Sequence, residues 1–156
     1  MTISCLQGGQ AIAQLSKGTK TTLEIQKILY FANMLYIGNN RNKESLVESK
    51  FLVWPFGPVI KTLYNLINEY GSGPVPLDVF NGVERIMDDG KNPTDEKYTN
   101  AVKVIKEAYS KFSEYSPFEL VRISHWSKGA WRRSKNMGLE EIGNELILDE
   151  FDARIQ

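Results

Sequence analysis

The sequence predicts an all-α fold, a compact, mainly helical bundle in a single layer, with at most a small β element near residues 45–54. Three observations carry this expectation. Apolar residues recur at helical spacing along much of the chain. Two of these stretches open on a capping box, Thr21…Glu24 and Ser116…Glu119. Strand-like sequence is confined to Phe51-Leu52-Val53-Trp54. Neither an internal repeat nor a low-complexity tract divides the chain, so residues 1–156 are expected to form one domain, with a long loop around 71–94.

In chain order, Gln10 to Lys17 is a short helix stopped by Gly18. The Thr21…Glu24 box opens the next. Its residues Leu23, Ile25, Ile28, Leu29, Phe31, Ala32, Met34, Leu35 and Tyr36 cover nearly the whole circumference, which places it at the centre of the core. Gly38-Asn39-Asn40 is expected to end it. Pro55 and Pro58 bracket Phe56-Gly57 and push Trp54 and Gly57 out of helical conformation. Pro58 is expected to open a helix, where its missing N–H would be an orphan in any case. Val59, Ile60, Leu63, Tyr64, Ile67 and Tyr70 form that helix's apolar face, and Gly71-Ser72-Gly73-Pro74 stops it. The Gly-, Pro-, Asp- and Asn-rich stretch to about Thr94 is the loop, with one short turn of structure expected at Val83 to Met87. Tyr98, Ala101, Val102, Ile105, Ala108, Tyr109 and Phe112 mark a further helix. Ser116-Pro117-Phe118-Glu119 starts another, expected to carry Leu120, Val121, His125 and Trp126. Gly129 begins a short segment with Trp131, and a last helix runs from about Asn144 to Ile155.

Composition narrows the function classes. With 42% hydrophobic and 24% charged residues, the chain is expected to pack as a globular domain. Nineteen basic and nineteen acidic residues cancel, which gives no reason for general nucleic-acid binding while leaving room for a local basic patch. The single cysteine, Cys5, forms no intramolecular disulfide and no cysteine-rich metal site, and fits a reducing compartment. The N-terminal sequence lacks the features of a signal peptide, and the most apolar stretch, Ile28 to Ile37, is too short to span a bilayer. A cytoplasmic, membrane-free protein is expected.

No catalytic set stands out. His125 is the only histidine; general acid–base work would require a nucleophile or an orienting carboxylate beside it. Cys5 is distant in sequence and expected to be mobile, so a half-buried histidine near a helix end is the simpler expectation. Gly8-Gly9 has no GK[ST] after it and is no phosphate loop. Asp88-Asp89 and Glu140-Glu141 are neighbours whose side chains point apart, too few for a hard cation. Neither a cofactor nor a metal is expected.

Two segments remain. Arg122, Lys128, Arg132, Arg133 and Lys135 are interleaved with His125, Trp126 and Trp131 without an acid among them. Tryptophans in the core beneath a solvated coat, a protein interface and a nucleic-acid surface all fit this pattern. The acids between Glu140 and Asp152 are placed to neutralise the patch. Trp54-Pro55-Phe56-Gly57-Pro58-Val59 is either a structural corner or a rigid loop presenting an aromatic to a partner.

These strings resemble a known family. Ile25-Gln26-Lys27-Ile28-Leu29-Tyr30-Phe31-Ala32 resembles the LQKLLYFA helix of the Panacea domain, the SocA-like or GepA-like antitoxins. Trp54 to Val59, followed by Tyr64, is similar to that family's W-x-x-GPV-x-x-x-Y element, with Phe51-Leu52-Val53 ahead of it where the family often has Glu-Ala. Leu120 through His125 with Trp131, and Ile142 to Phe151, resemble its third and fourth elements.

The resemblance implies a bacterial, prophage or phage antitoxin that binds a toxin encoded beside it. The family's toxins include translation inhibitors, nucleotide-alarmone synthetases and membrane-active peptides. One relative delivers its toxin to an ATP-dependent protease, so a proteolytic adaptor is the alternative, and a DNA-binding autoregulator a further one. The candidate partner-binding residues are Lys27, Tyr30, Trp54, Phe56, Tyr64, His125, Trp126, Trp131 and Arg132. Trp54 and Tyr30 are the members most expected to pack in the core instead.

Overall fold

The chain puts its longest apolar run into one helix, and that helix is the axis of the structure. The computed structural model describes residues 2–41 and 44–155; Met1, Asn42, Lys43 and Gln156, which the expectation of one domain over 1–156 includes, lie outside the described residues. Among the described residues seven α-helices surround or form the core: α1 (Cys5–Ser16), α2 (Thr22–Asn40), α3 (Lys61–Ile67), α4 (Thr99–Phe112), α5 (Pro117–Ser124), α6 (Ala130–Asn136) and α7 (Asn144–Arg154). One antiparallel hairpin, β1 (Leu52–Trp54) and β2 (Gly57–Val59), completes the all-α fold. None of the described helices is long and apolar enough to cross a membrane.

α2 begins at the expected capping box, with Thr21 and Glu24 bonding each other's backbone N–H. Every side chain from Glu24 to Met34 is buried. α1, α3, α4, α5 and α7 all contact it. The elements therefore form a shell around a central helix, not the expected single layer. Tyr30 meets Phe31 and Phe51 edge to face at 5.4 and 5.2 Å, and Phe31 stacks on Phe112 at 4.3 Å, geometries that add to the burial of the rings themselves.

Several local expectations are corrected. α1 starts five residues before Gln10, at Cys5, because Ser4 and Gln7 make a third capping box. Cys5 is consequently buried, not mobile. The helix tolerates Gly8 and Gly9 because an added Cβ would stand 2.7 and 2.8 Å from Leu29 and Leu63, so the glycines let α2 and α3 approach.

α2 ends within the expected Gly38-Asn39-Asn40, at Asn40, and Arg41 closes it in the left-handed conformation. Pro58 does not open a helix. It lies in β2, which as a member of a two-stranded sheet is an edge strand where proline is tolerated, and α3 begins at Lys61. The loop's helical turn is at Leu77–Phe80. Val83 to Met87 contains no helix, and Met87 bridges Pro93 instead. Val75, Phe80, Ile86 and Met87 are fully buried, so this loop is part of the core. α5 stops at Ser124, leaving His125 as its C-terminal cap and Trp126 beyond it.

Gly38 has a packing role. A Cβ there would lie 2.4 Å from the ring of Phe151 on α7. Gly38→Ala is expected to destabilise the protein by about 1–2 kcal/mol, since overpacking outweighs the roughly 1 kcal/mol gain in helix propensity. In a Phe151→Ala background the same change should become neutral or stabilising. Urea unfolding of the four variants measures this, and additive effects would refute the contact.

Candidate partner-binding site

The hairpin sets the geometry. Trp54 pairs with Gly57, so Pro55 and Phe56 form the turn and project into solvent; Phe56 is 65% exposed. Gly57 has φ +107°, a region that glycine enters readily and other residues do not. A Cβ at Gly57 would stand 2.5 Å from Ser124 Oγ and 2.8 Å from Lys27 Cε. The hairpin thus lies flat against α2 and α5. Gln26 holds it with two hydrogen bonds of 3.0 Å, its Nε2 donating to Ile60 O and its Oε1 accepting from Ile60 N–H. Lys27 Nζ donates to Pro58 O at 3.0 Å.

Three expected contact residues turn out to be internal. Lys27, Tyr30 and Trp131 are at most 1% exposed and present nothing to a partner in this conformation. Burial alone lowers the Lys27 pKa to about 7. Tyr30 Oη donates to Glu150 Oε1 at 3.0 Å, the Ala130 N–H donates to the same oxygen at 2.8 Å, and Arg154 Nε donates to Oε2 at 2.7 Å. Burial, and then the Glu150 charge, hold the Tyr30 hydroxyl well above its ordinary range. Trp131 Nε1 donates to Trp54 O at 2.9 Å, which ties α6 to β1.

The other candidates lie on or beside this frame. Trp54 is half-buried and meets Tyr64, which is exposed, edge to face at 4.9 Å. His125 is half-buried and stacks on Trp131 with centroids 3.8 Å apart and planes 7° from parallel. Its pKa is lowered first by burial and then by the charges of Arg132, Lys27 and Lys135. Its Nε2 is buried without a hydrogen-bond partner among the described residues. Trp126 is half-buried with the Arg154 guanidinium 4.7 Å from its ring, and Arg132 lies 4.9 Å from the ring of Trp131.

A groove of about 610 Å³ runs between the hairpin turn and α5, bounded by Leu23, Pro55, Phe56, Pro117, Phe118, Val121, Arg122 and His125. Phe118, at 76% exposure, is the most exposed large apolar side chain among the described residues, and it is absent from the candidates that the sequence offers. Its signal was present: α5 buries Leu120 and Ser124, and Phe118 is out of phase with them. A second depression lies on the far side of Phe56, against Trp54 and Tyr64. Of the five basic residues between Arg122 and Lys135, Arg133 pairs with Asp149 at 3.1 Å. Arg122, Lys128, Arg132 and Lys135 make no ion pair within 4 Å among the described residues. The acidic C-terminal stretch neutralises little of the patch.

Residues 25–132, more than half of the chain, match the family described as antitoxin SocA-like, Panacea domain. The chain belongs to this antitoxin family. The matched residues of the Panacea domain run from α2 into α6 and include the first three motif elements, while Ile142 to Phe151 lies beyond them. No curated protein and no solved structure matches the chain.

The internal residues generate two predictions. An unfolded lysine titrates near 10.4, so the folded Panacea domain binds fewer protons than the unfolded chain between about pH 7 and 10.4. The resulting penalty is absent above that window and complete below it. Stability from Lys27 therefore rises with pH by up to about 1.4 kcal/mol per unit. The difference in unfolding free energy between wild type and Lys27→Met, followed from pH 7 to 10, should show this slope; a constant difference would mean that the amine is not desolvated. Glu150→Ala should destabilise by about 3–5 kcal/mol in guanidinium unfolding, because it strands Tyr30 Oη and the Ala130 N–H in the core. A loss below about 1 kcal/mol would show the carboxylate to be dispensable.

Proposed function

We propose that this Panacea domain neutralises a cognate toxin, the product of an adjacent gene, by binding it directly in the cytoplasm, and that it works as a binding protein and not as an enzyme. The observation that supports this is the contrast within the site. Gln26, Lys27, Tyr30 and Trp131 are used internally to fix the hairpin, α6 and α7, while Phe56 and Phe118 stand in solvent on that fixed frame. Exposed aromatics on a rigid support are the usual form of an interaction hot spot. Binding would act by covering the toxin's active or membrane-inserting surface.

A delivery adaptor would require a second free surface. The acidic helix α7 is a poor source of one: Asp149 and Asp152 are paired with Arg133 and Arg41, and Glu150 is in the core. An autoregulator reading nucleic acid through Arg122 to Lys135 would want Trp131 as a stacking platform, but that ring is buried against His125. His125 itself serves packing, which is the basis for proposing no catalysis.

Co-expression with the adjacent gene's product, scored by growth and co-purification, tests the proposal. Growth rescue with a stable complex and an unchanged toxin half-life is expected. Phe56→Ala or Phe118→Ala should weaken the complex by about 2 kcal/mol and change folding stability by no more than about 0.5 kcal/mol. Rescue accompanied by loss of the toxin would establish the adaptor instead. Absence of both toxicity and complex would refute a pairing with that gene product.

A further inference from the structure

We infer that the groove between Phe56 and Phe118 seats an acidic segment of a protein partner that anchors itself with a large apolar side chain. The identity of that partner as the toxin rests on the antitoxin function proposed above; the chemistry of the seat does not. The walls supply the apolar half. Phe56 and Phe118 are 65% and 76% exposed on opposite sides, and Pro55 and Pro117 stiffen their backbones. A side chain entering between them would remove both rings from water, and neither ring gains anything by staying exposed.

The charges supply the acidic half. Arg122 is the charged residue of the groove wall, is exposed, and makes no ion pair within 4 Å among the described residues. Beside it, Arg132, Lys135 and the buried Lys27 all bear on His125. The adjacent acid, Glu119, has its carboxylate bonded to the Ser116 N–H at 3.0 Å as the helix cap. Every arginine other than Arg122 and Arg132 is paired: Arg41 with Asp152, Arg85 with Asp89, Arg133 with Asp149 and Arg154 with Glu150. The two arginines without an ion pair among the described residues thus stand at or beside the groove whose walls carry both exposed phenylalanines, and a partner with carboxylates there satisfies both features. A nucleic acid would satisfy the cations only. The phenylalanines line the groove together with two prolines, and Trp131 offers no open face to a base.

Two probes test this. The first needs no toxin: fluorescein-labelled poly(Glu,Tyr) copolymer, poly(Glu) and oligothymidine are titrated against wild type, Phe118→Ser, Arg122→Glu and the exposed-site control Lys103→Glu. Wild type and the control should bind poly(Glu,Tyr) at least tenfold more tightly than the other two polymers, with affinity falling as salt rises, and both groove variants should lose that preference. The second uses the purified adjacent-gene toxin: Phe118→Ser is expected to weaken its complex about thirtyfold and Arg122→Glu about tenfold.

Equal binding of poly(Glu,Tyr) and poly(Glu), or an Arg122→Glu variant that binds as wild type does, would overturn the inference. Preferential binding of oligothymidine would overturn it in favour of a nucleic acid. A toxin complex that both variants form with undiminished affinity would overturn the groove as the toxin's seat while leaving the antitoxin function standing. Loss of the antitoxin function with the polymer preference intact would leave the acidic seat standing for another protein.

Discussion

The burial of α2 on all sides is the constraint from which the rest of the structure follows. A helix satisfies its own backbone, but α2 also carries Gln26, Lys27, Tyr30 and Asn33 into a region without water. Each of these side chains must find a partner or forfeit the free energy of its lost hydration. The partners are drawn from segments that α2 could not otherwise hold. Gln26 takes both backbone groups of Ile60, Lys27 takes Pro58 O, Asn33 Oδ1 accepts from the Leu46 N–H at 2.8 Å, and Tyr30 takes Glu150. The apolar surface of α2 supplies the drive to collapse, and these four residues determine which chain segments lie where. A one-turn slip of α2 would retain most of the apolar contact and strand every one of those polar groups.

This changes what the motif residues mean. The string from Ile25 to Ala32 identifies the family, and its polar members look like contact residues when read as letters. In the folded chain they position the surface without being part of it. The sequence Trp54 to Val59 behaves similarly in part: Gly57 and Pro58 are the residues held, and Phe56 is the residue presented. The aromatic relay from Tyr64 through Trp54 to Trp131 and His125 carries the same rigidity from α3 to the end of α5. Both walls of the groove are therefore fixed by contacts behind them, so little ordering entropy remains to be lost on binding.

The features legible in the sequence were those with a local cause. Capping boxes at Thr21 and Ser116, the all-round apolar character of α2 and the extended Trp54 are set within a few residues of themselves. Apart from the Ser4…Gln7 capping box that starts α1, the features that escaped depend on distant partners. Gly38 has the local signature of a helix stop, yet it is glycine because Phe151 lies on it. Pro58 has the signature of a helix start, but Gln26 and Lys27 capture Ile60 and Pro58 in an extended conformation and delay the helix to Lys61. The loop after Gly71 reads as polar, while its scattered Val75, Phe80, Ile86 and Met87 reach the core without any periodicity. Burial of Lys27 was likewise invisible, since a lysine on a helix ordinarily extends to solvent.

A formal net charge of zero conceals a segregation that the fold preserves. Most of the acids on α7 are committed, Asp149 and Asp152 to arginines and Glu150 to the core, so they cannot offset the cations at the end of α5 and along α6. The same division separates stability from recognition. Exchanging Tyr30 or Glu150 disturbs buried, mutually dependent groups, where losses are several kcal/mol and non-additive. Exchanging Phe56, Phe118 or Arg122 alters side chains that the fold does not use, where stability moves by about 0.5 kcal/mol or less. A surface so decoupled can be refitted to a different partner while the helix that positions it stays unchanged, because the side chains that would change are not those that hold the fold together.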